Sequence, residues 1–88
     1  MKIQGAVVKE QGIVFGILVV KDHVLQSVSD SRNVMAAWQD SAPFLGMPLV
    51  LAAQDSQGVF SYRGRKDIVD FLASIDAHRI PWHEYTLS

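Results

Sequence analysis

The chain has 88 residues, of which 49% are hydrophobic and 19% charged, with a formal net charge of -1 and no cysteine. So short a chain commits its apolar side chains to one core, which excludes a second independent domain, and its apolar richness argues against disorder. The charge balance gives no overall positive field to hold a phosphate backbone, and the lack of cysteine excludes disulfides, thiolate catalysis, thiolate-zinc sites and thioredoxin-type redox chemistry.

At the N-terminus Gln4, Lys9, Glu10 and Gln11 interrupt the apolar residues before a signal-peptide core forms, so the expectation is a soluble, cytoplasmic protein. The longest apolar run, Ile13 to Val20, falls far short of the roughly 20 residues a membrane-spanning helix needs, and no membrane partner is expected. Gly5 to Lys9 and Ile13 to Lys21 are rich in β-branched residues and separated by Glu10-Gln11-Gly12, which reads as a hairpin. Ile13 to Val20 shows no polar alternation, the pattern of a central strand covered on both faces. Lys21-Asp22-His23 reads as a turn, with Val24 to Val28 forming a short further strand or a continuation after a bend.

Ser29-Asp30-Ser31 supplies N-cap oxygens, and Val34, Met35, Trp38 and Ala42 follow at helical spacing until Pro43, predicting a helix from about Ser31 to Ser41. The apolar loop Pro43 to Pro48 is expected to fold onto the core. Leu49 to Ala53 is a second uninterrupted apolar run. The turn signal Asp55-Ser56-Gln57-Gly58 and the alternating Val59-Phe60-Ser61-Tyr62 complete a second hairpin. A second helix opens at Gly64-Arg65-Lys66-Asp67, with Gly64 as N-cap, and carries the stripe Ile68, Phe71, Leu72, Ile75. The tail Ile80 to Leu87 suits an edge strand or a docked extended segment.

The expected fold is therefore α+β, a two-layer sandwich with a mostly antiparallel sheet of 4–6 strands, two helices on one face and the order ββ(β)αββα(β). Residues 1–88 form one domain, divisible into two ββα halves (about 3–42 and 47–76) plus a C-terminal extended segment. A faint echo at an offset of 33 residues relates them, pairing Asp22 with Asp55, Arg32 with Arg65, Met35 with Ile68 and Trp38 with Phe71. Two helices on one face leave apolar sheet surface uncovered, and a symmetric homodimer is the simplest way to bury it. A protein partner could also use that surface.

For chemistry, the strongest cluster is Arg63, Gly64, Arg65 and Lys66 at the start of the second helix, where backbone N–H groups and the helix dipole favour an anion and guanidinium groups add bidentate donors. Arg32 joins it if the helices lie side by side. The same cations can instead pair with Asp67 or Asp70 on a solvated helix end, and no nucleotide-binding glycine signature is present. Asp76, His78, His83 and Glu84 fall within nine residues, but their spacing matches no standard metal pattern and Pro81 prevents one helix from presenting them, so neither metal nor cofactor is expected. His23 with Ser27, Ser29 or Asp30 reads as a polar turn rather than a catalytic arrangement. Trp38, Phe44, Phe60, Phe71 and Trp82 read as core or interface residues that can also line a pocket. Phe60 and Tyr62 near arginines carry no ribonucleoprotein-type motif, so nucleic acid is disfavoured. The sequence thus favours a non-catalytic binding or assembly module that homodimerises. The alternative is a small protein or enzyme acting on a phosphate- or carboxylate-bearing metabolite at Arg63 to Lys66.

Overall fold

A computed structural model describes residues 2–10 and 12–86. Met1, Gln11 of the expected turn and Leu87 of the expected terminal segment lie outside the described residues. Five strands, β1 (Lys2–Glu10), β2 (Ile13–Val19), β3 (Leu49–Gln54), β4 (Phe60–Arg63) and β5 (His83–Thr86), form one sheet in the order β4-β3-β2-β1-β5. Three helices, α1 (Asp22–Gln26), α2 (Val28–Gln39) and α3 (Lys66–Ala73), and a 3₁₀ turn (Ala77–Arg79) complete the chain. The α+β class and the mostly antiparallel sheet expected from the sequence are what the chain forms. Among the described residues, no helix is long and apolar enough to cross a membrane.

Both expected hairpins form. β1 and β2 pair antiparallel with Val7 opposite Gly16, and β3 and β4 pair antiparallel with Ala52 opposite Tyr62. β2 is the central strand of the five, and β5 pairs with β1 at the edge, Gly5 opposite His83. The one parallel pair is β2 with β3, with Ile17 opposite Val50. A parallel connection needs a crossover, and α1 and α2 supply it.

Two parts of the expected layout are corrected. Residues 24–28 are not a strand. Val24 N–H and Leu25 N–H both donate to the Lys21 carbonyl, starting a helical turn that buries Leu25 as the chain leaves the top of β2. The helices also do not share one face. Residues of alternate parity along β2 and β3 point to opposite sides: Phe15, Ile17, Val50 and Ala52 pack with Ile68 and Leu72 of α3, whereas Leu18, Leu49, Leu51 and Ala53 pack with Leu25 and Trp38 of the α1–α2 side. A strand apolar on both faces needs cover on both, and dividing the helices provides it. Each face of the β2–β3 pair therefore packs against helix, α3 on one side and α1 with α2 on the other.

Helix α2 starts earlier than its polar run suggested, because Ser27 rather than Ser29, Asp30 or Ser31 is the N-cap, its Oγ accepting from the Asp30 N–H at 3.2 Å. Ser31 is buried and donates its Oγ–H to the Val24 carbonyl at 2.8 Å, tying α2 to α1. The loop after α2 folds onto the core as expected. Phe44 is fully buried, edge-on to Trp38 (centroids 6.0 Å apart) and to Tyr85 (4.9 Å), and the Gln39 side-chain amide holds the loop by donating to the Met47 carbonyl at 2.7 Å.

Phe44 lies against strand β2 where that strand has no side chain. A Cβ on Gly16 would sit 2.5 Å from Phe44 Cδ1 and 2.7 Å from Leu49 Cδ2, both in a filled layer. Alanine ordinarily improves on glycine inside a strand by about 0.5–1 kcal/mol. Here Gly16→Ala is expected to destabilise by about 1–3 kcal/mol, the cost of overpacking, read as a lower urea midpoint. A variant as stable as the parent would show that Phe44 does not press on the strand.

Candidate functional site

The basic start of α3 comes first, because the sequence singled it out. Arg63 ends β4 and turns toward the α1–α2 face, where its Nε–H donates to the Leu25 carbonyl at 2.7 Å. Arg65, not Gly64, is the N-cap residue of α3, and it makes no side-chain cap bond. Its guanidinium forks onto Asp67, with both N–O distances 2.8 Å, and Lys66 meets Asp70 at 2.6 Å one helical turn on. Gly64 gives the chain clearance over β3, since a Cβ there would come within 2.9 Å of Val50 Cγ2. Arg32 lies exposed in α2, on the other side of the sheet from α3, and among the described residues no hydrogen bond or ion pair links it to the cluster. A surface depression of about 400 Å³ adjoins Arg63, Gly64 and Lys66, walled by Leu25, Tyr62 and Val69. The structure thus places Arg63 and Lys66 on one depression and pairs each of the three cations with a partner of its own, Arg63 with a backbone carbonyl and the other two with carboxylates of α3.

Other sequence candidates do not converge. Ser27 is spent as the cap of α2, so it is not held against His23. Asp76 and His78 meet, with Asp76 Oδ1 2.9 Å from His78 Nδ1, but Glu84 faces Lys2 and His83 lies edge-on to Tyr85. Among the described residues no three metal-ligating side chains form a cluster. The aromatic residues are split by the sheet: Trp38 and Phe44 on the α1–α2 face, Phe60, Phe71 and Trp82 on the α3 face.

It is on the α3 face that an open groove of about 590 Å³ appears. Alternation along β4 turns Phe60 and Tyr62 to the same side, their rings 6.2 Å apart and 14° from parallel. Trp82, delivered by the Ile80-Pro81-Trp82 segment just before β5, brings its ring 5.4 Å from Phe60 at 19°. All three are half-buried. Helix α3 ends at this groove with Leu72 and Ala73, and Ile75, Asp76, Ala77 and His78 continue its wall. Gln4 of β1 and Gln54 of β3 close the other side.

The polar atoms of the aromatic wall are largely committed within the protein. The Trp82 indole N–H donates to the Ala77 carbonyl at 3.0 Å and the Gln54 amide to the Gly58 carbonyl at 3.0 Å. These bonds fix the wall, and the opening presents rather more polar than apolar surface. Burial pushes the Tyr62 hydroxyl above the usual phenol range, so it stays protonated and able to donate at neutral pH. The Asp76 carboxyl is held below the usual aspartate range by the His78 backbone N–H, then by the His78 ring, and is ionised at neutral pH. Phe60-x-Tyr62 was readable as one face from strand alternation. The contributions of Gln4, Gln54 and Asp76 were not, since they meet only once β5 has crossed to the far edge of the sheet.

The chain matches no family model, and no curated protein or solved structure is found similar to it. The chemistry of the site is therefore read from its own residues.

Asp67 is likewise held below the ordinary aspartate range, first by the side-chain hydrogen bond from Arg65. A carboxyl depressed in the folded state stabilises it at pH above the unfolded value, and that contribution is lost as pH falls through the folded value. In Arg65→Ala the Asp67 carboxyl is expected to titrate closer to an ordinary aspartate, followed by carboxyl-carbon NMR. An unchanged midpoint would mean that the pair does not persist in water.

Proposed function

We propose that this chain is a cytoplasmic, non-catalytic binding module whose ligand lies in the aromatic groove between β4, the end of α3 and Trp82. The observation that carries this reading is the convergence of Phe60, Tyr62 and Trp82, from two distant parts of the sequence, in one opening about 590 Å³ in volume. That size falls within the range of small-molecule sites, and aromatic walls with a few polar groups are their common composition. The lining side chains include no Ser, Thr, Cys or Lys, and burial keeps the Tyr62 hydroxyl protonated, so the Asp76–His78 pair has no hydroxyl, thiol or amine of the usual activated kind beside it. This favours binding over catalysis.

Homodimerisation, in this reading, has strand edges rather than a sheet face to use, namely the outer sides of β4 and β5. An anion at Arg63, Gly64, Arg65 and Lys66 would require Arg65 and Lys66 to leave Asp67 and Asp70.

The molecule carries its own control for the groove. Trp82 borders the opening, whereas Trp38 is buried on the opposite face, so the two indole N–H signals separate groove binding from general effects. In a screen of aromatic fragments and inorganic phosphate by two-dimensional NMR, fragment binding is expected to move Trp82, Gly58 and His78 saturably and leave Trp38 in place. Phe60→Ala is expected to weaken those shifts. Fragments that move nothing at Trp82, with phosphate shifts centred on Arg63 to Lys66, would overturn the groove reading in favour of the anion site.

A further inference from the structure

We propose that the groove selects flat organic cations over anions of the same shape. The inference rests on the groove being the binding site and adds the charge class of its ligand. Three features of the groove point the same way.

The first is the formal charge of its lining. Asp76 is the one acidic side chain of the lining, which holds no arginine or lysine, while Arg79, next along the chain beyond His78, acts on the Asp76 carboxyl from outside the groove. Only one oxygen of Asp76 is engaged within the protein: Oδ1 accepts from the His78 backbone N–H and contacts Nδ1 of its ring, both at 2.9 Å. Among the described residues no hydrogen bond engages the other oxygen.

The second is the direction of α3. The helix begins beside Arg65 and runs toward the groove, ending at Ala73, so the opening receives the carbonyl end and the negative pole of its dipole. The basic residues stand at the other end of the same helix. The third is the stack in which Phe60 lies near-parallel to both Tyr62 and Trp82, leaving the outer faces of Tyr62 and Trp82 as the π surfaces whose quadrupoles attract a cation and disfavour an anion. A flat cation gains from all three features at once, a flat neutral molecule gains ring contact alone, and a flat anion is disfavoured by all three.

The test uses three bicyclic probes of matched size on the full chain: 1-methylquinolinium, 2-naphthalenemethanol and 2-naphthoate, each titrated by NMR with Trp82 as reporter and Trp38 as control. The cation is expected to bind about threefold or more tighter than the neutral probe, and the anion more weakly than either. Asp76→Asn should narrow the gap between cation and anion. Asp76 also caps the 3₁₀ turn through the His78 N–H, so a salt series on the unaltered protein serves as a second measurement. Added salt should reduce the cation's advantage and spare the neutral probe. If 2-naphthoate binds as tightly as the cation, or salt leaves their ratio unchanged, the charge inference is overturned and the groove reading stands. If none of the three moves Trp82, both are overturned.

Discussion

The constraint on which everything else depends is that β2 and β3 are apolar on both faces. Phe15 and Ile17 look one way and Leu18 the other, and Val50 and Ala52 are set against Leu49, Leu51 and Ala53 in the neighbouring strand. Neither face of this pair can be left to water, and 88 residues must supply both covers. Chain order decides which cover goes where. The parallel pairing of β2 with β3 requires a crossover, which spends α1 and α2 on one face. The other face falls to whatever connects β4 to β5, the two outermost strands.

The helix in that second connection spans only part of the sheet, and the groove lies where it ends. From β4 to β5 the chain passes over four interstrand steps, about 19 Å at normal strand spacing. Helix α3 has eight residues and covers about 12 Å. The remainder is spanned by the 3₁₀ turn and by Ile80-Pro81-Trp82, in which Ile80 is buried as a plug and Trp82 leans back toward Phe60. Between the end of the helix and the returning tryptophan the sheet is roofed only at its rim. The opening is thus a consequence of covering a five-stranded sheet with a two-turn helix, and its aromatic walls are the side chains that limit the water entering there.

This also explains what was legible in the sequence. Hairpins, the central strand and the stripe on α3 depend on local periodicity, and they were readable because Ile13 to Val20, Leu49 to Ala53 and Ile68 to Ile75 each carry an unbroken pattern. The helical turn at Asp22–Gln26 was not readable, since it buries a single residue, Leu25, and one apolar position has no period. The assignment of helices to faces was implicit in the two-sided apolar runs but needed the parallel pairing, which is a matter of strand order. Of the site, only Phe60 and Tyr62 could be placed on a common face beforehand. Trp82 and Asp76 join them through the path of the β4-to-β5 connection. The basic cluster was legible as charge, but its pairing was decided by local geometry: Arg65 to Asp67 across the helix start and Lys66 to Asp70 along one turn.

The two ends of α3 then stand in different electrostatic states. At its N-terminus the dipole's positive pole coincides with Arg65 and Lys66, and the helix answers with its own Asp67 and Asp70, so most of the excess charge is neutralised before any ligand arrives. At its C-terminus the negative pole coincides with another anion, Asp76, and among the lining residues only the solvent-exposed His78 stands against it. Like charge at a helix end is unfavourable by itself. What offsets it here is the fold: Asp76 is needed to cap the turn that lets the chain reach β5, through its bond to the His78 N–H. The place of Asp76 beside the groove is therefore set by closing the sheet, and it puts a carboxylate at the same opening as Phe60, Tyr62 and Trp82.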